Sequence, residues 1–377
     1  MAKQLEIGET VQLNHSTRRR FLRLLGAGTV SIAGLRTALG TAYGEEPEGV
    51  PLTLTKDTQG RPDKVKIIEE ERYELLQTYK EFSEEVNGND KIRSITLHQQ
   101  SDSRTDLKIE VIILKPEDKT RPEKEPTEEV KEEIKKAKQE IKNNEPARLP
   151  VEINEENIKS EKDACGDRGD DQSTMEGGLG ISTSPFTTTG TLGLVCYGDG
   201  TDTDDTVLIT ADHVMEGDSS MYQVDSDPIG SFSSRDQDED ITVYEFDSDS
   251  GVSVNHRDII GASDVTGAWT WDGILENTIQ GTIDCTLSGK NSCTEDNMAT
   301  GVDSGGERVE HQVNMNSRNA QNGDSGGPWV DDNGKLVAFH SGRVYLEDPI
   351  GGIIIDEWDA GVAGDEALDA GNAQLES

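Results

Sequence analysis

Residues 323–328 read Gly-Asp-Ser-Gly-Gly-Pro, and no other stretch of the chain restricts the fold as tightly. One glycine before Ser325 and two after it let the backbone turn sharply and let another chain approach closely. A nucleophilic serine needs an exposed Oγ, a base for its proton and donors that meet a developing oxyanion. In such a turn the N–H groups of Gly323 and Ser325 point into one small concavity. Asp324, between them, reads as an internal partner rather than a reacting group.

A base should lie at the end of a well-ordered element. Val207-Leu-Ile-Thr-Ala-Asp-His213 is an apolar run that reads as a buried strand delivering His213 at its end. A third group, a carboxylate, must fix the histidine tautomer and stabilise the imidazolium. Asp240 opens Asp240-Ile-Thr-Val-Tyr-Glu-Phe246, an alternating strand pattern. In so acidic a chain Asp238 and Glu239 are near alternatives. The separations favour Asp240, which lies 27 residues after His213 and 85 before Ser325.

Charge divides the chain. Residues 1–164 hold 28 basic and 33 acidic residues, whereas residues 165–377 hold 8 and 42. Of the net −39, most therefore falls on the second half. A broad basic surface for nucleic acid is excluded. Self-repulsion at that density destabilises a compact state unless salt screens it, which predicts a folded domain adapted to strong salt. The loop Asp199-Gly-Thr-Asp-Thr-Asp-Asp205 looks calcium-like but lacks an EF-hand's ligand spacing, so it is read as solvated.

The first half has no catalytic constellation. Ser16-Thr-Arg-Arg-Arg-Phe-Leu-Arg23, a weakly apolar stretch from Leu24 to Leu35 and small residues at Ala38, Gly40 and Ala42 resemble a twin-arginine export signal. Val65, Ile68, Leu75, Tyr79, Phe82 and Val86 fall on one face of a helix predicted over residues 65–86. Leu107, Ile109, Val111 and Ile113 alternate as a strand, with Ser94–Gln100 as its hairpin partner. Val130, Ile134, Ala137 and Ile141 mark a second helix. Nowhere is there a run near the roughly 20 apolar residues of a membrane span.

Taken together, the order His, Asp, Ser, the Thr-Ala-Asp-His segment, the Asp-Ile-Thr-Val strand and Gly-Asp-Ser-Gly-Gly-Pro resemble the chymotrypsin-like serine peptidases. The compact spacing is similar to the branch of alpha-lytic protease and the streptogrisins. Gly177-Gly178 with Ile181 resembles the start of that branch's mature enzyme, and Cys285 to Cys293 resembles its short disulfide loop. The resemblance implies an all-β fold of two packed antiparallel six-stranded β-barrels with the triad His213, Asp240 and Ser325 in the cleft. It implies an oxyanion hole from Gly323 and Ser325, a Cys285–Cys293 disulfide and a Ser341 hydroxyl on Asp240. It places Asn319, His340, Ser341 and Gly342 around the primary pocket. Asn319 stands where trypsin-like relatives carry an acidic residue, so preference for Arg or Lys by that route is not expected. Glutamyl endopeptidases carry a His in a segment similar to Phe339-His340-Ser341-Gly342, which suggests a mild preference for acidic side chains.

Two departures stand out. Asp212 precedes His213 where a small residue is usual, and Val214 follows where many relatives have a Cys. Cys196 thereby loses its usual partner, leaving Cys165 as a candidate.

The sequence thus predicts a signal peptide over 1–44, a small α+β or helical pro-region over 45–170, a peptidase domain over 171–365 and an acidic tail over 366–377. The expected product is a secreted monomeric serine endopeptidase, exported by the twin-arginine machinery, acting on protein or peptide substrates without metal or organic cofactor. The alternative is an inactive relative that serves as an extracellular binding module.

Overall fold

The computed structural model describes residues 5–13, 35–37, 39–40, 47–86, 92–99, 107–114, 151–161, 173–184, 190–198, 205–215, 218–223, 227–290, 293–304, 309–316, 320–321, 323–347 and 354–376. The Val130–Ile141 helix, the paired arginines, the Asp199–Asp205 loop for all but its last residue, Cys165 and Asn319 lie outside them.

The chain is built mainly of strands, and their pairings close two barrels. The first uses β6 (Gly180–Ile181), β7 (Gly190–Thr191) continuing into β8 (Leu194–Gly198), β9 (Thr206–Ala211), β10 (Ser220–Tyr222), β11 (Pro228–Asp236) and β12 (Ile241–Phe246). Antiparallel pairing runs β6–β7, β8–β9, β9–β12, β12–β11 and β11–β10. A bridge between Ser182 and Tyr222 completes the ring. The one-turn helix α2 (Asp212–Met215) follows β9.

The second barrel follows β13 (Gly267–Trp269) and α3 (Trp271–Thr278). Its strands are β14 (Ile283–Gly289), β15 (Cys293–Ser304), β16 (His311–Met315), β17 (Pro328–Asp331), β18 (Lys335–Glu347) and β19 (Ile354–Ala363). The antiparallel pairings β14–β15–β16–β19–β18–β17–β14 form a closed circuit with no free edge.

The N-terminal segment is α+β and joins the second barrel. It holds β1 (Val50–Asp57), β2 (Pro62–Ile68), α1 (Glu70–Val86), β3 (Ile92–Gln99), β4 (Leu107–Leu114) and β5 (Val151–Glu161). The β3–β4 hairpin matches its sequence pattern. Helix α1 starts at residue 70, not 65: Lys64 and Lys66 alternate with the fully buried Val65 and Ile67, which is strand periodicity. Strand β1 pairs with β13, β13 with β18, and β5 with the far end of β18. Leu75, Leu76, Tyr79 and Phe82 of α1 share one apolar core with Trp271, Leu287 and Trp329.

Residues 366–377 do not stand apart as a tail. Helix α4 (Gly364–Ala370) buries Leu368, and β20 (Ala373–Gln374) pairs with β8.

Candidate active site

Strand β9 is buried on both faces, so Val207, Leu208 and Ile209 follow one another without polar alternation; Leu208 and Ile209 are fully enclosed. It ends in α2, which carries His213. The ring Nδ1 lies 2.7 Å from Asp240 Oδ2 and 3.0 Å from Oδ1, and the His213 backbone N–H donates to Oδ1 at 3.0 Å. A carboxylate can only accept here, so Nδ1 carries a proton and donates it to Asp240.

Asp240 precedes β12 with a left-handed φ of 53°. Its carbonyl accepts the Asp212 N–H at 2.8 Å, and its Oδ2 accepts the Ser341 hydroxyl. Asp tolerates this backbone region better than most side chains. Burial alone would push the Asp240 pKa up. The His213 charge and the hydrogen bonds from His213 and Ser341 outweigh it and hold the carboxyl below its ordinary range. Asp212 is buried beside this pair and meets it through its backbone.

Ser325 lies between Gly323 (φ 93°) and Gly326 (φ 89°). The turn is pinned on both sides. Gly326 N–H donates to His340 O at 2.7 Å, and His340 N–H donates to Gly327 O at 2.8 Å. Thr191 donates its N–H to Ser325 O at 2.8 Å and its hydroxyl to Gly323 O at 2.7 Å. A Cβ on Gly326 would lie 2.3 Å from Thr191 O and from Thr210 Oγ1, so only glycine lets the turn seat against the end of β9. The Ser325 turn is thereby held next to the strand that delivers His213.

Ser325 Oγ and His213 Nε2 are both buried, and neither has a hydrogen-bond partner among the described residues. The two sit on neighbouring segments without a hydrogen bond between them. Buried unpartnered polar atoms are costly, and a reacting role is one reason for a fold to keep them. Among the described residues, the N–H groups of Gly323 and Ser325 have no backbone acceptor.

His340 is fully buried, its ring edge-on to Trp329 at 6.1 Å and 67°. Gly342 has φ 149°, in the region that favours glycine. Arg343, not foreseen from the sequence, pairs its Nε with the buried Asp359 at 3.3 Å and donates Nη2 to Ala320 O. Asp359 in turn accepts the Ala320 N–H at 3.0 Å, which anchors the segment leading to Ser325.

The expected Cys285–Cys293 bridge is absent. In the β14–β15 hairpin Cys293 faces Gly289, while Cys285 faces Asn297, four residues further along. Four residues of strand span roughly 13 Å, beyond the reach of a disulfide. Cys285 is a buried free thiol whose pKa burial pushes up to about 12. Cys196 is also a buried free thiol.

Glu239 has a partner other than His213: its side chain meets His311 Nδ1. Glu239, Glu310 and His311 place one possible ligand atom each within 4.8 Å of one another, the one such group of three among the described residues. His311 Nδ1 is already taken by Glu239, so the group reads as an ion pair with an acidic neighbour.

No family model and no curated protein matches the chain. Solved structures do overlap it. An alpha-lytic protease homolog, N4, overlaps with TM-score 0.36 and 15% identity, over 54% of this chain and 100% of its own. Rv3671c protease in an inactive form gives 0.26 and 16%, over 48% and 81%. The MamO protease domain from Magnetospirillum magneticum in its apo form gives 0.30 and 13%, over 50% and 93%. Overlap this loose adds nothing to the strand pairings, on which the two-barrel architecture rests.

Proposed function

We propose that this chain is a serine endopeptidase that hydrolyses peptide bonds through an acyl-enzyme. One observation carries the reading: His213 Nδ1 sits 2.7 Å from the buried Asp240 carboxylate, which also accepts the His213 backbone N–H and the Ser341 hydroxyl. His311 has a comparable pair of contacts to Glu239, and what sets His213 apart is the Ser325 turn seated against the strand that delivers it. The Asp240 carboxylate fixes a proton on His213 Nδ1, so in the neutral ring Nε2 is the acceptor.

In this mechanism Ser325 Oγ attacks the scissile carbonyl carbon while His213 Nε2 takes its proton. The Gly323 and Ser325 N–H groups receive the oxyanion. The tetrahedral intermediate collapses, the amine leaves with the proton from His213, and the acyl group stays on Ser325. Water then attacks with His213 again as base, releasing the acid and restoring the hydroxyl. Asp240 stays ionised throughout.

Secretion through a twin-arginine signal over 1–44, salt adaptation of the acidic half and synthesis with a pro-region over 45–170 belong to the same proposal. They rest on the sequence motif and the charge asymmetry. Protein or peptide substrates follow from the reaction type. A preference for acidic substrate side chains is proposed from the resemblance of Phe339-His340-Ser341-Gly342 to the corresponding segment of glutamyl endopeptidases.

The reading is tested by incubating the full chain with casein-derived peptides in molar salt, beside Ser325→Ala. Cleavage by the unaltered chain alone is the expected result. The second reading, an inactive binding module, is favoured by the complete burial of Ser325 and its lack of a hydrogen bond to His213. Intact peptides at every salt concentration, with the protein folded, would select it.

A further inference from the structure

We propose that His311 positions Asp240, acting through Glu239 from the opposite barrel. The proposal deepens the peptidase reading and rests on it for the role of Asp240.

Glu239 directly precedes Asp240 in the chain and is 6% exposed. Its Oε1 meets His311 Nδ1, and its Oε2 accepts the His311 backbone N–H at 3.3 Å. One residue earlier, Asp238 O accepts the Glu310 N–H at 2.8 Å. Three bonds therefore tie residues 238–239, in the first barrel's β11–β12 turn, to the start of β16 in the second barrel. The His311 ring is itself fixed, edge-on to Trp271 at 5.2 Å and 82°. Within the turn, Asp238 and Glu239 donate their N–H groups to Asp236 Oδ1 at 3.0 and 3.1 Å.

Asp240 needs this support. Its left-handed φ of 53° is uncommon for any residue but glycine, and although Asp adopts it more readily than most, neighbouring contacts are needed to hold the carboxylate in one direction. The second barrel holds it at two points, through Ser341 at the carboxylate and through His311 at the preceding residue. The carboxylate direction, and with it the tautomer and aim of His213, depends on the seam between the barrels. His311 touches no reacting atom, so it is a positioning residue.

The test uses the full chain in molar salt, with His311→Ala, His311→Gln and the isosteric Glu239→Gln. Four quantities are read: kcat and KM for a cleaved peptide, the rate of fluorophosphonate labelling, and the low-field proton resonance of His213 Nδ1–H. His311→Ala is expected to lower kcat and the labelling rate about tenfold with KM unchanged, and to shift the His213 resonance. His311→Gln, which keeps a donor, is expected to restore most of both rates. If His311→Ala does not fold, Glu239→Gln carries the same expectation of a reduced rate. Variants that melt earlier yet keep the wild-type kcat and His213 resonance would overturn the positioning role. Failure of the unaltered chain to label would instead count against the peptidase reading, while the resonance shift would still decide for or against the clamp.

Discussion

Arg72 Nε donates to Glu276 Oε2 at 2.7 Å across 204 residues of chain, and each side chain is 1% exposed. Lys66 joins the same carboxylate at 2.8 Å, and Lys335 meets Asp63 at 2.7 Å. These pairs, with the shared core and the β1–β13 ladder, weld the N-terminal segment to the second barrel. Thr270 fixes the joint further: it caps α3 by accepting the Gly273 N–H at 3.0 Å while donating its hydroxyl to Thr53 O at 2.7 Å.

Breaking the Arg72–Glu276 pair from one side leaves a charge buried with its main partner gone. Arg72→Met is expected to cost about 3–5 kcal/mol, read by denaturant unfolding in molar salt. Arg72→Met with Glu276→Leu should recover only part of it, because Lys66 then loses the same carboxylate. Gly273→Ala is expected to loosen the same joint, because the new Cβ would lie 2.2 Å from Leu54 O. A chain lacking residues 45–161 is expected to fold poorly, since it would expose the faces that these elements cover.

Within the triad the losses should differ. Ser325→Ala or His213→Ala is expected to lower kcat by about 10⁶, and Asp240→Asn by about 10⁴. Ser341→Ala removes one of the groups that hold Asp240 ionised, so about a tenfold loss is expected, without the change in KM that a pocket residue would give. Steady-state kinetics on one peptide separates these cases.

What the sequence made legible is what one local pattern encodes. The buried strand before His213, the alternating strand after Asp240, the turn at Ser325 and the β3–β4 hairpin all follow from periodicity and glycine placement. The Glu239–His311 and Arg72–Glu276 pairs had no such signal. They form because strands distant in the chain meet in a fixed register, and in a chain with 75 acidic residues no single carboxylate announces its partner. Residues 62–68 were readable in principle, because alternating lysines mark a strand, but the apolar positions also fit helical spacing. The disulfide expectation failed for a related reason: resemblance supplies the loop, whereas the hairpin register decides which residues face each other.

The seam between the barrels should respond to pH. Burial pushes the His311 pKa down, but the hydrogen bond and charge of Glu239, with Glu366 and Glu310 nearby, raise it above the ordinary value overall. A folded pKa above the unfolded one gives stability that is fully present below about pH 6.5 and lost as pH rises through the folded value. The difference in Tm between the unaltered chain and His311→Gln should therefore be largest near pH 6 and shrink toward alkaline pH.

A panel of peptides varied only at the residue before the scissile bond tests the pocket. Glu is expected to be cleaved faster than Leu, Phe or Ala, and His340→Ala is expected to narrow that difference. Equal rates across the panel would leave His340 as a wall residue packed on Trp329.

The central claim is that Ser325 is a working nucleophile. Fluorophosphonate labelling of the folded chain in molar salt, followed by peptide mapping, tests it most directly. One label per chain is expected, on Ser325, lost in Ser325→Ala and His213→Ala. Folded protein that takes up no label at any salt concentration would contradict it.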